Sequence, residues 1–364
     1  MTCCAAGAAS GSVSSVGQLG RRILITGLAT FWGGRLAQEF ERDPEVDVLV
    51  GMDSEEPTVA LERTEFVRTD DNYSILARLL KATQVDTVVH AGLVVNSALM
   101  PDRRIHEKNV IGTMNLLAAA GADESRVRSL IVKSSSLIYG ASRQDPTWFR
   151  EDAVRASPAK TRIERSLLEA ESYLRSFAED NPGVGVAVLR CANVLGDHLT
   201  TALSRAISMP AIPTIAGFDP QLQFVEQEDI VRAIRFVVDS GLEGAYNVAA
   251  DGRLPWSEVR AIAAKPPLYL SPIATELAAA PLKRLRFVTL PPEVFDLLRY
   301  GRGVDNAKLK SAGFRYLYTT AGTVRHFVEE LRLRRVVGEP EPAYRYEGDV
   351  EAFFRHSPAV VRIT

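Results

Sequence analysis

The chain has 364 residues, 46% of them hydrophobic and 24% charged, with 43 Lys plus Arg against 45 Asp plus Glu and a formal net charge of −2. That length exceeds a single domain of ~100–200 residues, so one large α/β domain with an appended lobe is expected. The balanced charge speaks against a nucleic-acid partner, and no run approaches the ~18 continuous apolar residues of a membrane span.

Residues 1–20 are rich in Ala, Gly and Ser and carry no signal-peptide pattern, so they are read as a disordered tail. Next comes Ile23-Leu-Ile-Thr-Gly27-Leu-Ala-Thr30-Phe31-Trp32-Gly33-Gly34. A short apolar run stops at Thr26-Gly27, and an amphipathic run follows from Trp32 to Phe40. This is the pattern of a buried parallel strand, a tight turn and a helix start. A helix N-terminus offers unpaired N–H groups and partial positive charge, which suits a pyrophosphate. The dinucleotide fingerprint wants glycine three times at this spacing, and Thr30 takes the middle place. The second strand, from Val46, ends at Asp53. An acid there suits the adenosine ribose hydroxyls and repels a 2′-phosphate, favouring NAD over NADP. Asp53 also suits a cap on its own turn at Ser54.

A third strand ends at Asp70-Asp71, and Tyr73 to Thr83 reads as a helix. The fourth strand, from Val85, runs into His90-Ala91-Gly92. Pro101 to Gly121 reads as a long helix carrying Asn109. A fifth strand, Arg128 to Lys133, leads into Ser134-Ser135-Ser136-Leu-Ile-Tyr139-Gly140. Pro158 to Asp180 reads as a helix, and Gly185 to Arg190 as a strand before Cys191-Ala-Asn193. Alternating strands and helices imply right-handed βαβ units and a parallel sheet covered on both faces. Ligands then bind beyond the carboxyl ends of the strands, where Gly27, Asp53, Asp70, His90 and Ser135 all fall. From about residue 197 the alternation loosens and prolines accumulate. The helix Ile230 to Asp239 and a strand at Ala245 to Ala249 are expected to return to the sheet. The three cysteines, Cys3, Cys4 and Cys191, make no disulfide framework. That fits a reducing, cytoplasmic compartment. The histidines show no metal-ligand spacing, and no metal is expected.

Taken together, these pieces resemble the extended short-chain dehydrogenase/reductase family, the NAD-dependent epimerase/dehydratase type. The resemblance rests on Thr26-Gly27…Gly33, Asp53, Asp70, His90-Ala91-Gly92, Asn109-Val-Ile-Gly-Thr113, Ser134-Ser135…Tyr139-Gly140, Arg190…Asn193-Val…Gly196, Asp229-Ile-Val and Tyr246-Asn247-Val-Ala. It covers roughly residues 21–320. It implies a doubly wound, Rossmann-type parallel sheet with a smaller C-terminal substrate lobe. The NAD-binding domain would be residues 21–196, with sheet-completing segments near 224–250. The substrate lobe would be mainly 197–338, and 339–364 a peripheral arm.

The resemblance further implies NAD as cofactor. Thr26, Gly27, Thr30, Phe31, Trp32 and Gly33 would meet the pyrophosphate and Asp53 the ribose. Asp70 and Asp71 would meet adenine, and His90, Ala91 and Gly92 the inner ribose. Asn109, Ser134 and Lys160 would complete the cofactor set. Family chemistry is hydride transfer with a tyrosine as acid or base, its pKa lowered by a lysine four residues on. Ser135, four residues before Tyr139, would hydrogen-bond the substrate oxygen. Lys160 fits the family lysine because Glu164 follows at the family's spacing, with Glu151-Asp152 upstream. The tyrosine position then falls on Ala156.

Asn193 matches the family's sugar-nucleotide asparagine. Leu222 and Gln223 stand where an arginine often grips the diphosphate, and Arg302 is another candidate phosphate contact. The small-molecule substrate is therefore a nucleotide sugar or another hydroxyl or carbonyl compound. Two functions follow. One is an NAD-dependent oxidoreductase or epimerase with Ser135 and Lys160 as its catalytic residues. The other is an NAD-binding sensor or scaffold with little turnover, motivated by Ala156 and Thr30. A homodimer through the two long helices is expected.

Overall fold

Three consecutive apolar residues, Ile23 to Ile25, have no solvent exposure at all. A strand buried on both faces reads as a continuous apolar run rather than an alternating one. This strand, β1 (Arg21–Thr26), lies inside a seven-stranded sheet. The computed structural model describes residues 20–97, 100–272 and 291–337. The expected tail before Gly20, part of the lobe including Phe287-Val288, and the expected C-terminal arm lie outside the described residues.

The other strands are β2 (Val46–Asp53), β3 (Glu65–Arg68), β4 (Thr87–His90), β5 (Ser129–Ser135), β6 (Gly185–Cys191) and β7 (Gly244–Val248). Their spatial order is β7-β6-β5-β4-β1-β2-β3. Every neighbouring pair is parallel. The order reverses between β1 and β4, where a crevice opens at the carboxyl ends. Helices α1 (Phe31–Glu41), α2 (Tyr73–Thr83), α3 (residues 102–120), α4 (Arg162–Asp180) and α5 (Gln227–Ser240) cover the sheet. Helices α1 and α5 pack together on one face, and α2, α3 and α4 on the other. Each inner stripe is apolar: Leu36, Ala37 and Phe40 on α1, and Ile230, Val231, Ile234 and Val237 on α5, are all buried. Fully burying one such side chain stabilises the fold by ~1.5–3 kcal/mol.

Two helices differ from the sequence reading. Helix α3 is one path in three pieces, α-helical at Asp102–His106, π-helical at Glu107–Gly112 and α-helical at Thr113–Ala120. A π-turn inserts a residue into the helical spiral and often marks a functional site. Here it carries Lys108 and Asn109. Helix α4 begins at Arg162, not Pro158. Thr161 caps it, accepting from the Glu164 N–H, while the Glu164 carboxylate returns to the Thr161 N–H. This reciprocal box satisfies two donors that a helix start leaves orphaned.

A second apolar cluster lies beyond β6. It gathers Leu195, Phe224, Trp256, Leu297, Leu298, Val324 and Phe327. Trp256 is fully buried, and its indole N–H donates to the Pro213 carbonyl at 2.8 Å. Short strands pair around it, Asn193–Leu195 with Phe224–Glu226 and Ile212–Ile215 with Pro267–Leu270.

Candidate functional site

The turn after β1 is built on close approach. Gly27 has φ +77°, and a Cβ there would lie 2.4 Å from the Gly92 Cα. A Cβ on Gly33 would lie 2.2 Å from the Gly27 carbonyl oxygen. Thr30 needs no such freedom: its φ is −72°, in the extended region, and it is the N-cap of α1. Its hydroxyl donates to the Gly27 carbonyl at 2.6 Å and accepts from the Gly33 N–H at 3.1 Å. The threonine thus takes one donor of the helix start for itself. By position, the N–H groups of Phe31 and Trp32 are first-turn donors without an intrahelical acceptor.

Asp53 is buried at the end of β2. One carboxylate oxygen accepts from the Ala29 N–H at 3.0 Å, the other from the Ser54 N–H at 2.7 Å. It therefore caps its own turn and also pins the dinucleotide loop. Lys108, from the π-turn, approaches to 3.7 Å. A cavity of about 250 Å³ opens here, lined by Gly27, Asp53, Asp70, Asp71, Gly92, Lys108 and Gly112 among others. Burial, opposed by the Lys108 ammonium, pushes the Asp71 carboxyl up to about 6.

His90 sits behind this cavity. Its Nδ1 is 2.5 Å from the Thr26 hydroxyl and its Nε2 3.4 Å from that of Thr113. Burial lowers its pKa to about 4, so it is a neutral tie between β1, β4 and α3. The Ala91 N–H donates to the Thr26 carbonyl. Asn109 has no solvent exposure; it brackets Val94, accepting from its N–H and donating to its carbonyl, and also donates to Ser166 on α4. Its amide positions the loop after β4.

At the end of β5 the polar groups bond to one another. The Ser134 hydroxyl donates to Glu171 at 2.5 Å. Glu171 receives two guanidinium N–H groups of Arg190. Arg190 also donates to the Tyr139 hydroxyl, which donates to Asn247. Tyr139 stacks on Phe149, and burial pushes its hydroxyl up to about 12. A phenol so held is a core residue and a poor base.

Ser135 faces a second cavity, of about 110 Å³, shared with Asn193, Glu293, Leu297 and Arg302. Its hydroxyl caps the short helix Ser136–Tyr139. The Asn193 amide donates to the Gln223 carbonyl. Glu293 and Arg302 are 7% and 4% exposed, yet the Glu293 Oε2 and the Arg302 Nε meet no hydrogen-bond partner among the described residues. Burial pulls the Arg302 guanidinium down to about 10. Glu293 was not singled out from sequence. Nothing local marks it, because its place depends on a helix, Pro292–Tyr300, from a distant part of the chain.

The structure does not bring Lys160 to these groups. It lies ahead of α4, exposed, with its ammonium 2.6 Å from Asp296. Its correspondence with the family lysine rested on Glu164 four residues on, and Glu164 belongs to the capping box. Ala156 is exposed in the preceding loop, its N–H donating to Asp145. Among the described residues no group of three or more His, Cys, Asp and Glu is arranged to hold a metal, and no helix is long and apolar enough to cross a membrane.

Known proteins are similar to this chain in sequence or in fold. The chain is 30% identical over 332 residues to an uncharacterised protein of Mycobacterium tuberculosis strain H37Rv, covering 90% of this chain and 88% of that one. Among solved structures it is similar to MoeE5 in complex with UDP-glucose and NAD (TM-score 0.66, 20% identity, 87% of this chain and 100% of that one). It is also similar to the Thermotoga maritima UDP-glucose 4-epimerase with UDP-glucose (TM-score 0.66, 19% identity, 86% and 99%). A third is the Bacillus anthracis dTDP-glucose 4,6-dehydratase with NAD (TM-score 0.65, 17% identity, 87% and 98%). These three likenesses establish the fold. The model of the NAD dependent epimerase/dehydratase family matches residues 23–249, more than half of the chain, and the chain belongs to that family.

Proposed function

We propose that the protein binds NAD along the carboxyl edge of the sheet and exchanges hydride with a hydroxyl- or carbonyl-bearing small molecule, a nucleotide sugar being the first class to test. The observation that carries this reading is the 250 Å³ cavity, in which Gly27, Asp53, Asp70, Asp71 and Gly92 converge from different strand ends. Phe31 and Trp32 would offer N–H groups to the pyrophosphate. Asp53 would hold the ribose hydroxyls, its charge disfavouring a 2′-phosphate. Asp70 and Asp71 would face adenine, and Ala91 and Gly92 the inner ribose. NAD, when bound, supplies the hydride acceptor. Ser135 and Asn193 would orient the ligand in the second cavity, with Glu293 and Arg302 as further polar contacts. That MoeE5 and the Thermotoga enzyme are seen with UDP-glucose supports the ligand class.

One observation favours a second reading, an NAD-binding sensor or scaffold with little turnover. Glu171 is tied to Ser134 and Arg190, which sets the register of α4 against the sheet. One and two turns earlier on the same face stand Leu167 and Ile163, both buried and apolar. Read in this register, the family's tyrosine, lysine and acid positions are Ile163, Leu167 and Glu171. Neither proton-handling group is then present, and Ala156 and Lys160 leave the site. The test follows nicotinamide absorbance with UDP-glucose and related sugars. Turnover by the natural chain supports the oxidoreductase. Turnover only after Ile163→Tyr with Leu167→Lys supports the sensor and the register. None from either, with NAD bound, leaves the scaffold.

The reading places the protein in the cytoplasm, which cell fractionation tests. It also takes a homodimer through α3 and α4, where Ile111, Met114 and Tyr173 are 44%, 41% and 36% exposed. Light scattering on the natural chain and on Met114→Glu tests that pairing.

A further inference from the structure

Lys133 is the charged residue that the site described above leaves unused. It stands on β5 two residues before Ser135, and only 2% of it is exposed. Side chains alternate along a strand, so Lys133 points away from Ser134 and α4, toward α1 and α5. Its Nζ lies 4.7 Å from the centroid of the Trp32 ring, in the first turn of α1.

The charged groups on the elements that flank β5 are committed elsewhere. On α1, Arg35 pairs with Glu228 of α5. On α5, Asp229 pairs with Arg232, and Asp239 with Arg21 and Arg235. Glu226, which caps α5, accepts from the Glu228 N–H. On β4, His90 is held by Thr26 and Thr113. On β6, Arg190 turns to Glu171 on the other face of the sheet. The titratable group that acts on Lys133 is the Cys191 thiol, itself pushed up to about 11 by burial. Among the described residues no carboxylate, carbonyl or hydroxyl accepts from the Lys133 Nζ. A cation–π contact offsets only part of the cost of a buried ammonium. Burial accordingly lowers the lysine's pKa.

An under-compensated cation and the donor-rich start of α1 thus meet at Trp32. We propose that Lys133 is the buried counter-charge of a bound dinucleotide: the pyrophosphate, arriving at the start of α1, favours its charged form. This rests on the NAD reading above. It adds to the Lys108 ammonium at the cavity a cation on β5, on the opposite side of the sheet from α4.

The test is calorimetric titration of the full chain with NAD+ between pH 7 and 9, in buffers of different ionisation enthalpy. The natural protein should take up protons on binding, and its affinity should fall as pH rises. Lys133→Met, close in shape and apolar, should bind about tenfold more weakly with no proton uptake. It should also melt no lower than the natural chain without NAD+, since burying no charge costs nothing. Buffer-independent heats in the natural protein, or equal proton uptake in both, would overturn the inference and leave NAD binding standing. No binding by the natural protein would remove the cofactor reading and this inference with it.

Discussion

The two halves of the sheet's carboxyl edge use their polar residues differently. At β1, β2 and β4, Asp53, Asp71 and Lys108 stand around an open cavity. At β5 and β6, Ser134, Glu171, Arg190, Tyr139 and Asn247 form one closed, buried chain of hydrogen bonds. The first half is arranged to meet a ligand. In the second, the polar groups satisfy one another, because a buried polar group left without a partner is costly. An open polar cluster and a closed one thus stand side by side at the ends of one sheet.

The largest effect should come from opening the closed half. Arg190→Met leaves the Glu171 carboxylate buried beside Ser134 alone, and should cost ~3–5 kcal/mol of stability in denaturant unfolding. If it costs little, the closed chain is not what holds β5 to β6 and α4. On the open half, Gly27→Ala places a Cβ at positive φ against Gly92. A loss of ~2–4 kcal/mol is expected, seen as a lowered Tm.

Asp71 sharpens the contrast through pH. Its folded-state pKa, about 6, lies above the ordinary carboxylate value. Between those two values the unfolded chain holds fewer protons, so stability falls as pH rises. Asp71→Asn should remove that slope and gain ~1 kcal/mol at pH 7. An unchanged pH profile would show that its carboxyl titrates normally.

Smaller effects test the start of α4. Thr161→Ala breaks the capping box and should cost ~1 kcal/mol. Lys160→Met should leave NAD+ affinity within about twofold, because an exposed ion pair to Asp296 is worth little. A large loss of affinity would return Lys160 to the cofactor site.

The sheet was legible in the sequence for a physical reason. Strands buried on both faces must be apolar runs, and those runs stop at turn-forming residues such as Gly27 and Asp53. Thr30 was legible as a departure, but its N-cap role needed the backbone. The start of α4 was not legible, because a lysine four residues before a glutamate looks the same whether the glutamate belongs to a family motif or to a capping box. The contact of Glu171 with Arg190, between residues on different elements, sets the register of α4 against the sheet, and no local pattern shows it. The π-turn in α3 leaves no local signature. Lys133 was read as the end of β5, since a charge in an apolar run looks like a strand end. The strand in fact continues to Ser135 with the lysine buried.

The most direct measurement of the central claim is competitive binding of NAD+ and NADP+ to the natural protein by calorimetry. The arrangement around Asp53 calls for NAD+ to bind and for NADP+ to bind much more weakly, whether or not any sugar is turned over. Preference for NADP+, or no binding of either, would contradict it.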